Sequence, residues 1–179
     1  MPKKSGFTLV ELLVVISIMA LMSMTALINF KNFRSDAAIK VAASDLQSLI
    51  RIAQSNATSR INCGSNPGAI WMIESRDSKT FDLKCYISDP TRAITKKTVL
   101  FANPVELVAI SGTGVCTIPF RVKFAPLYGT ITFKEANTNE DSCFSDSSDL
   151  SMTLEDTKTH AQKIINVNKG GVVNVKDVP

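Results

Sequence analysis

Gly6-Phe7-Thr8-Leu9-Val10-Glu11, with the run LLVVISIMALMSMTALINF at residues 12–30 behind it, decides how the chain folds. The run holds no charged side chain. A helix needs about 20 apolar residues to cross the hydrocarbon core of a bilayer, so the run is just long enough to span one. Lys3 and Lys4 precede it, and Lys31 and Arg34 follow, as basic residues do at the interfacial ends of a span. Glu11 stands at the front edge, with Phe7, Leu9 and Val10 before it. A carboxylate at membrane depth costs about 2.5–3.5 kcal/mol on insertion scales, so such a residue persists where it finds a partner.

The helical pattern continues past the apolar run. Ile39, Ala42, Ala43, Leu46, Leu49, Ile50, Ala53, Ala57 and Ile61 recur every three to four residues, while Lys40, Asp45, Gln47, Arg51, Gln54 and Asn56 fall on the other face. Gly64 and then Pro67-Gly68 are the stop signals. The pattern predicts one helix over 7–60, about 80 Å long at 1.5 Å per residue. Its second half offers an apolar stripe to a globular head.

The motif KKSGFTLVELLVVISIMALMS at residues 3–23 resembles the amino terminus of type IV prepilins and type II secretion pseudopilins. The resemblance implies a basic leader over 1–6, cut between Gly6 and Phe7 by the prepilin peptidase, and methylation of the new amino terminus at Phe7. It implies that Glu11 pairs with the free amine of Phe7 on a neighbouring subunit during assembly. It also implies an α+β fold, in which a long amino-terminal helix with a transmembrane first half packs on an antiparallel β-sheet head. The segments are then the leader at 1–6, the membrane and filament-core helix at 7–30, its amphipathic continuation at 31–62, and the β-rich head at 63–179. The subunit is placed first in the inner membrane with its head outside the cytoplasm, then in a pilus or pseudopilus filament. Its partners are other pilin subunits, the prepilin peptidase, the inner-membrane assembly platform and, before assembly, membrane lipid.

Two blander readings fit less well. A secretory signal peptide has an apolar core of about 7–15 residues and a small-residue cleavage site after it. This run is longer, and Lys31-Asn32-Phe33-Arg34 follows it at once. A static single-pass anchor accounts for the lysines and the run but gives Glu11 no purpose.

The head reads as β. Segments 69–75 (AIWMIES) and 80–88 (TFDLKCYIS) flank Arg76-Asp77-Ser78-Lys79 in a hairpin pattern. Segments 98–101 and 105–110 flank Ala102-Asn103-Pro104. FRVKF at 120–124 alternates apolar and basic residues, burying one face. Further strands are expected at 130–133, 150–154, 163–167 and 172–175, the last two joined through Asn168-Lys169-Gly170-Gly171. The order FxPxxGxIxF at 124–133, then IxV and GxVxV within 165–175, is similar to the pseudopilin-H and FimT group of minor pilins. Ile28 departs from the proline that many pilins have there, which puts the usual local break of the helix in doubt.

Four cysteines, Cys63, Cys85, Cys116 and Cys143, follow the apolar run. An even number in an exported domain predicts two disulfides; three pairings are open, and the sequential one, Cys63–Cys85 with Cys116–Cys143, is the reading taken. No CxxC spacing occurs, and a single histidine, His160, is too few for the usual zinc patterns. No GxSxG, phosphate loop or dinucleotide fingerprint occurs, so the chain reads as non-enzymatic, with no catalytic residue, cofactor or metal. Glu140, Asp141, Asp146 and Asp149 match no EF-hand spacing and read as a solvated loop rather than a calcium site. Asn56-Ala57-Thr58 is a glycosylation sequon, but lies within the predicted helix.

A net charge of +4 does not by itself indicate nucleic acid. The alternative function is a DNA-binding competence pilin, because some FimT-like minor pilins bind DNA through arginines after the glycine of the carboxy-terminal hairpin. Here Gly171-Val172-Val173-Asn174-Val175 carries none, with only Lys169 and Lys176 nearby, and this argues against nucleic acid as a partner.

Overall fold

The computed structural model describes residues 8–65, 68–111, 118–126, 131–135, 149–168 and 170–178, the side chains of 25–35, 111 and 131–135 excepted. Among the described residues one α-helix, α1 (Leu9–Thr58), precedes nine strands: β1 (Ile70–Ser75), β2 (Thr80–Tyr86), β3 (Ile94–Leu100), β4 (Val105–Ser111), β5 (Phe120–Phe124), β6 (Ile131–Glu135), β7 (Leu150–Asp156), β8 (Gln162–Val167) and β9 (Val173–Asp177). A helix packed with antiparallel sheets makes the architecture α+β, compatible with the pilin plan.

The strands form two sheets where one was expected. A five-stranded sheet runs β3-β2-β1-β5-β6 and a four-stranded sheet runs β4-β7-β8-β9. All strand pairs among the described residues are antiparallel. The division falls at Ala102-Asn103-Pro104, between β3 and β4. There the Pro104 carbonyl accepts from the Thr157 N–H at 3.1 Å, which commits the chain to β7. The sheets stay joined at the β1–β2 turn: Leu107 N–H on β4 donates to the Ser78 carbonyl at 2.8 Å, and Lys79 pairs with Glu106 at 3.0 Å. The turn is organised by Asp77, whose carboxylate accepts from the Lys79 and Thr80 N–H groups and the Thr80 hydroxyl.

α1 lies against β1 of the first sheet and β7, β8 and β9 of the second. Its buried face is Ile39, Ala42, Ala43, Leu46, Leu49, Ile50, Ala53 and Ala57. The four alanines let strands approach the helix closely, while each buried Leu or Ile contributes about 1.5–3 kcal/mol of transfer free energy. Trp71, Ile73, Phe81, Leu83, Phe120, Val122 and Phe124 from the first sheet complete one core with Leu150, Met152, Leu154 and Ile165 from the second. Phe81 packs on Phe101 and Phe120, with ring centroids 4.9 and 6.4 Å away.

The helix ends earlier than the glycine and proline signals suggest. Arg60 takes a left-handed conformation (φ 52°), Arg60 N–H donates to the Ala57 carbonyl, and Ile61 N–H donates to the Asn56 carbonyl at 2.9 Å. These are the two bonds of a Schellman ending, built here on a residue other than glycine. Through Ile28 the helix runs without interruption.

Candidate functional site

Thr8 is the N-cap of α1. Its extended backbone (φ −80°, ψ 152°) turns the side-chain oxygen back to accept the Glu11 N–H at 3.2 Å. Thr8 and Glu11 thus stand at the first and last positions of a T-x-x-E capping pattern. Glu11 is the acidic residue of the first turn, where the helix dipole favours negative charge. The spacing is present in the sequence, and Thr8 is a functional residue that the apolar run and Glu11 alone do not point to. Gly6 and Phe7 lie outside the described residues.

Behind this start, α1 turns its apolar side chains outward. Leu9, Val10, Leu12, Leu13, Val14, Val15, Ile16, Ile18, Met19, Leu21, Met22 and Met24 are between 44% and 80% exposed. Ser17 and Ser23 donate to the carbonyls of Leu13 and Met19, each at 2.8 Å, so these hydroxyls are satisfied within the helix. No helix is long and apolar enough, among the described residues, to cross a membrane. The last side chain described in this half is Met24, while the uncharged run continues in sequence to Phe30.

At the other end, α1 is tied to the head by a disulfide and a hydrogen bond. Cys63 is bonded to Cys85 on β2. Cys85 is the register partner of Trp71 on β1, and the Trp71 indole N–H donates to the Ile61 carbonyl at 3.3 Å. The segment Ile61–Cys63 after the helix is thereby fixed to both strands of the first hairpin. Cys116 and Cys143 lie outside the described residues, as do Glu140, Asp141 and Asp146 of the acidic segment. Among the described residues no group of His, Cys, Asp and Glu could hold a metal ion.

A cleft of about 320 Å³ opens beside the disulfide, lined by Cys63, Gly64, Tyr86, Ile87, Arg92 and Ile94 among others. Burial pushes the Tyr86 hydroxyl above its ordinary range, with Arg121 acting weakly the other way. On the face of the first sheet away from the helix, Glu74 joins three strands: it accepts from Arg121 on β5 at 2.6 Å and pairs with Lys84 on β2. Buried Asp82 accepts from Arg76 and from the Thr98 hydroxyl, both at 2.6 Å. Burial pushes the Glu74 carboxyl up, but the bonds from Lys84 and Arg121 outweigh it and hold the group below its ordinary value. Sequence spacing carried no signal for this network.

Residues 1–27 match the prokaryotic N-terminal methylation motif. That motif is the signature of type IV pilins and pseudopilins, and it marks a pilin-like substrate of prepilin peptidase. For a pilin-like chain it implies membrane anchoring followed by entry into a pilus, and contact with the peptidase and the assembly machinery. Proteins that carry it are structural rather than enzymatic. The match ends well before the head begins. No curated protein and no solved structure matches the chain.

Proposed function

We propose that the chain is a non-enzymatic structural subunit, a minor pilin or pseudopilin, of a type IV pilus or type II secretion filament. The leader is removed between Gly6 and Phe7, Phe7 becomes the methylated amino terminus, and residues 7–30 anchor the subunit in the inner membrane before assembly. The observation that carries this reading is the methylation motif at residues 1–27, running into a helix whose residues 12–24 are exposed, uncharged and mostly apolar. Such a surface has little reason to persist in water and suits lipid or the matching helices of other subunits.

Glu11 is the assembly residue of this reading. Its carboxylate meets the Phe7 amine of a neighbouring subunit, where two charges that are each costly in apolar surroundings attract strongly. Two measurements test the proposal. Mass spectrometry of protein from its own host should find a mature terminus at methylated Phe7; an intact leader, or a cut beyond residue 30, would remove the basis for the reading. The ratio of subunit in sheared filaments to subunit in membranes should fall for Glu11→Leu, with Glu11→Gln between it and the unaltered protein. Equal ratios for all three would deny Glu11 its role while leaving processing intact.

A further inference from the structure

The disulfide that ties α1 to the head is asymmetric in its surroundings. Cys63 lines the cleft beside it, together with Gly64, Ser65, Ile87, Arg92 and Ile94, whereas Cys85 does not line it. Cys63 retains 4% of its surface and Cys85 none. Cys85 is enclosed on β2 between its cross-strand partners, Trp71 on one side and Ile94 on the other. The cleft volume accommodates a small thiol or the tip of an extended peptide. Its rim carries the Arg92 guanidinium, 89% exposed and only loosely paired with Asp89 at 3.9 Å. A cation at that place favours an approaching thiolate over a thiol.

We propose that Cys63 is the sulfur through which this disulfide is made and broken, a thiol-exchange site reached by the cleft, and that Cys85 is the resolving sulfur. In the reductive direction a thiolate bonds to Cys63 Sγ and the Cys63–Cys85 bond breaks. Cys85 leaves as a thiolate and takes a proton from water. In the oxidative direction the Cys63 thiolate attacks an oxidant disulfide, forming a mixed disulfide and releasing one thiol. The Cys85 thiolate then attacks the mixed disulfide at Cys63, closing the native bond and releasing the second thiol. The two electrons from the cysteine pair end on the oxidant, which is a small or protein disulfide. Exchange rates depend on access to the sulfur attacked, and of the two cysteines only Cys63 borders the cleft and keeps any exposed surface. This inference rests on the cleft and the burial of the two cysteines, and stands apart from the assembly reading.

The test uses the folded full chain, reduced glutathione as the attacking thiol, iodoacetamide as the quench, and peptide mass mapping as the readout. Glutathione is expected on Cys63 and carbamidomethyl on Cys85 in the same molecules, exceeding the reverse labelling by at least about tenfold. After unfolding in urea the preference should vanish. Equal or reversed labelling in the folded chain would overturn the proposal, as would no adduct on either cysteine under conditions that label the unfolded chain. In a second arm oxidised glutathione is added to reduced serine variants. Cys85→Ser should retain glutathione on Cys63, and folded Cys63→Ser should leave Cys85 unmodified. If the serine variants fail to fold, judged by circular dichroism, labelling of the unaltered chain decides alone.

Discussion

Thr8 and Glu11 share the first turn of α1, and the contact between them is one hydrogen bond, from the Glu11 N–H to the Thr8 hydroxyl oxygen. In the assembly reading, this turn must present the Glu11 carboxylate to another chain while keeping its own backbone N–H groups satisfied in apolar surroundings. Removing the cap oxygen costs about 1 kcal/mol at an ordinary helix start. Thr8→Ala should therefore speed amide hydrogen exchange at Glu11 about fivefold in micelles, whereas Thr8→Ser should leave it unchanged. An unchanged rate in the alanine variant would show that the hydroxyl does not hold this turn. Arg60, at the other end of the helix, is held at φ 52°, a conformation that costs an L residue about 1–2 kcal/mol and glycine much less. Arg60→Gly should raise the urea midpoint by an amount equivalent to about 1 kcal/mol, because the Schellman bonds are backbone bonds and survive the change. A lower midpoint would mean that the arginine side chain contributes more than its backbone loses.

At the scale of elements, the helix and most strands were legible because burial imposes a period. Ile39 to Ala57 marked the buried stripe of α1, and the alternation in Phe120–Phe124 marked β5. The start of β3 was hidden, since Ile94–Lys97 is an exposed edge with two lysines and shows no buried period. The helix end fell within two residues of the predicted position 60, although the left-handed residue that closes it is an arginine and not the glycine such an ending usually uses. Gly171 is a place where the sequence did speak: φ is 82° there, and a Cβ would overlap the Gln54 amide, so the β8–β9 turn docks on α1 through a residue without a side chain. The Glu74 network across β1, β2 and β5 left no trace in spacing, because its members meet only once the register is set. Its folded carboxyl is held below the ordinary glutamate value by Lys84 and Arg121, so the stabilisation it brings is fully present above that ordinary value and is lost as pH falls through the lower folded one. Urea unfolding measured from pH 7 down to pH 3 should show stability declining below about 4.5, and Glu74→Gln should flatten part of that decline. An acid limb unchanged by the substitution would assign the decline to other carboxylates.

For the whole molecule, the partition into two sheets was the part least legible, because the choice between pairing β4 with β3 or with β7 is made by Thr157 and Ser78, far away in sequence. Once made, it leaves a head in which the disulfide closes a separation of 22 residues around β1 and nearly all of β2. Such a closure contributes about 3 kcal/mol in the chain-entropy account. Replacing Cys63 and Cys85 together by serine should lower stability by about that amount in urea unfolding, with a loss below about 1 kcal/mol counting against an entropic role. The same closure has a mechanical meaning. When a chain is stretched between the tip of α1 and its carboxy terminus, tension passes from Cys63 directly to Cys85 through a covalent bond. Residues 64–84 hang in a side loop that carries no load. β1, the middle strand of its sheet, can lose its neighbours under force but cannot itself be drawn out into an extended thread.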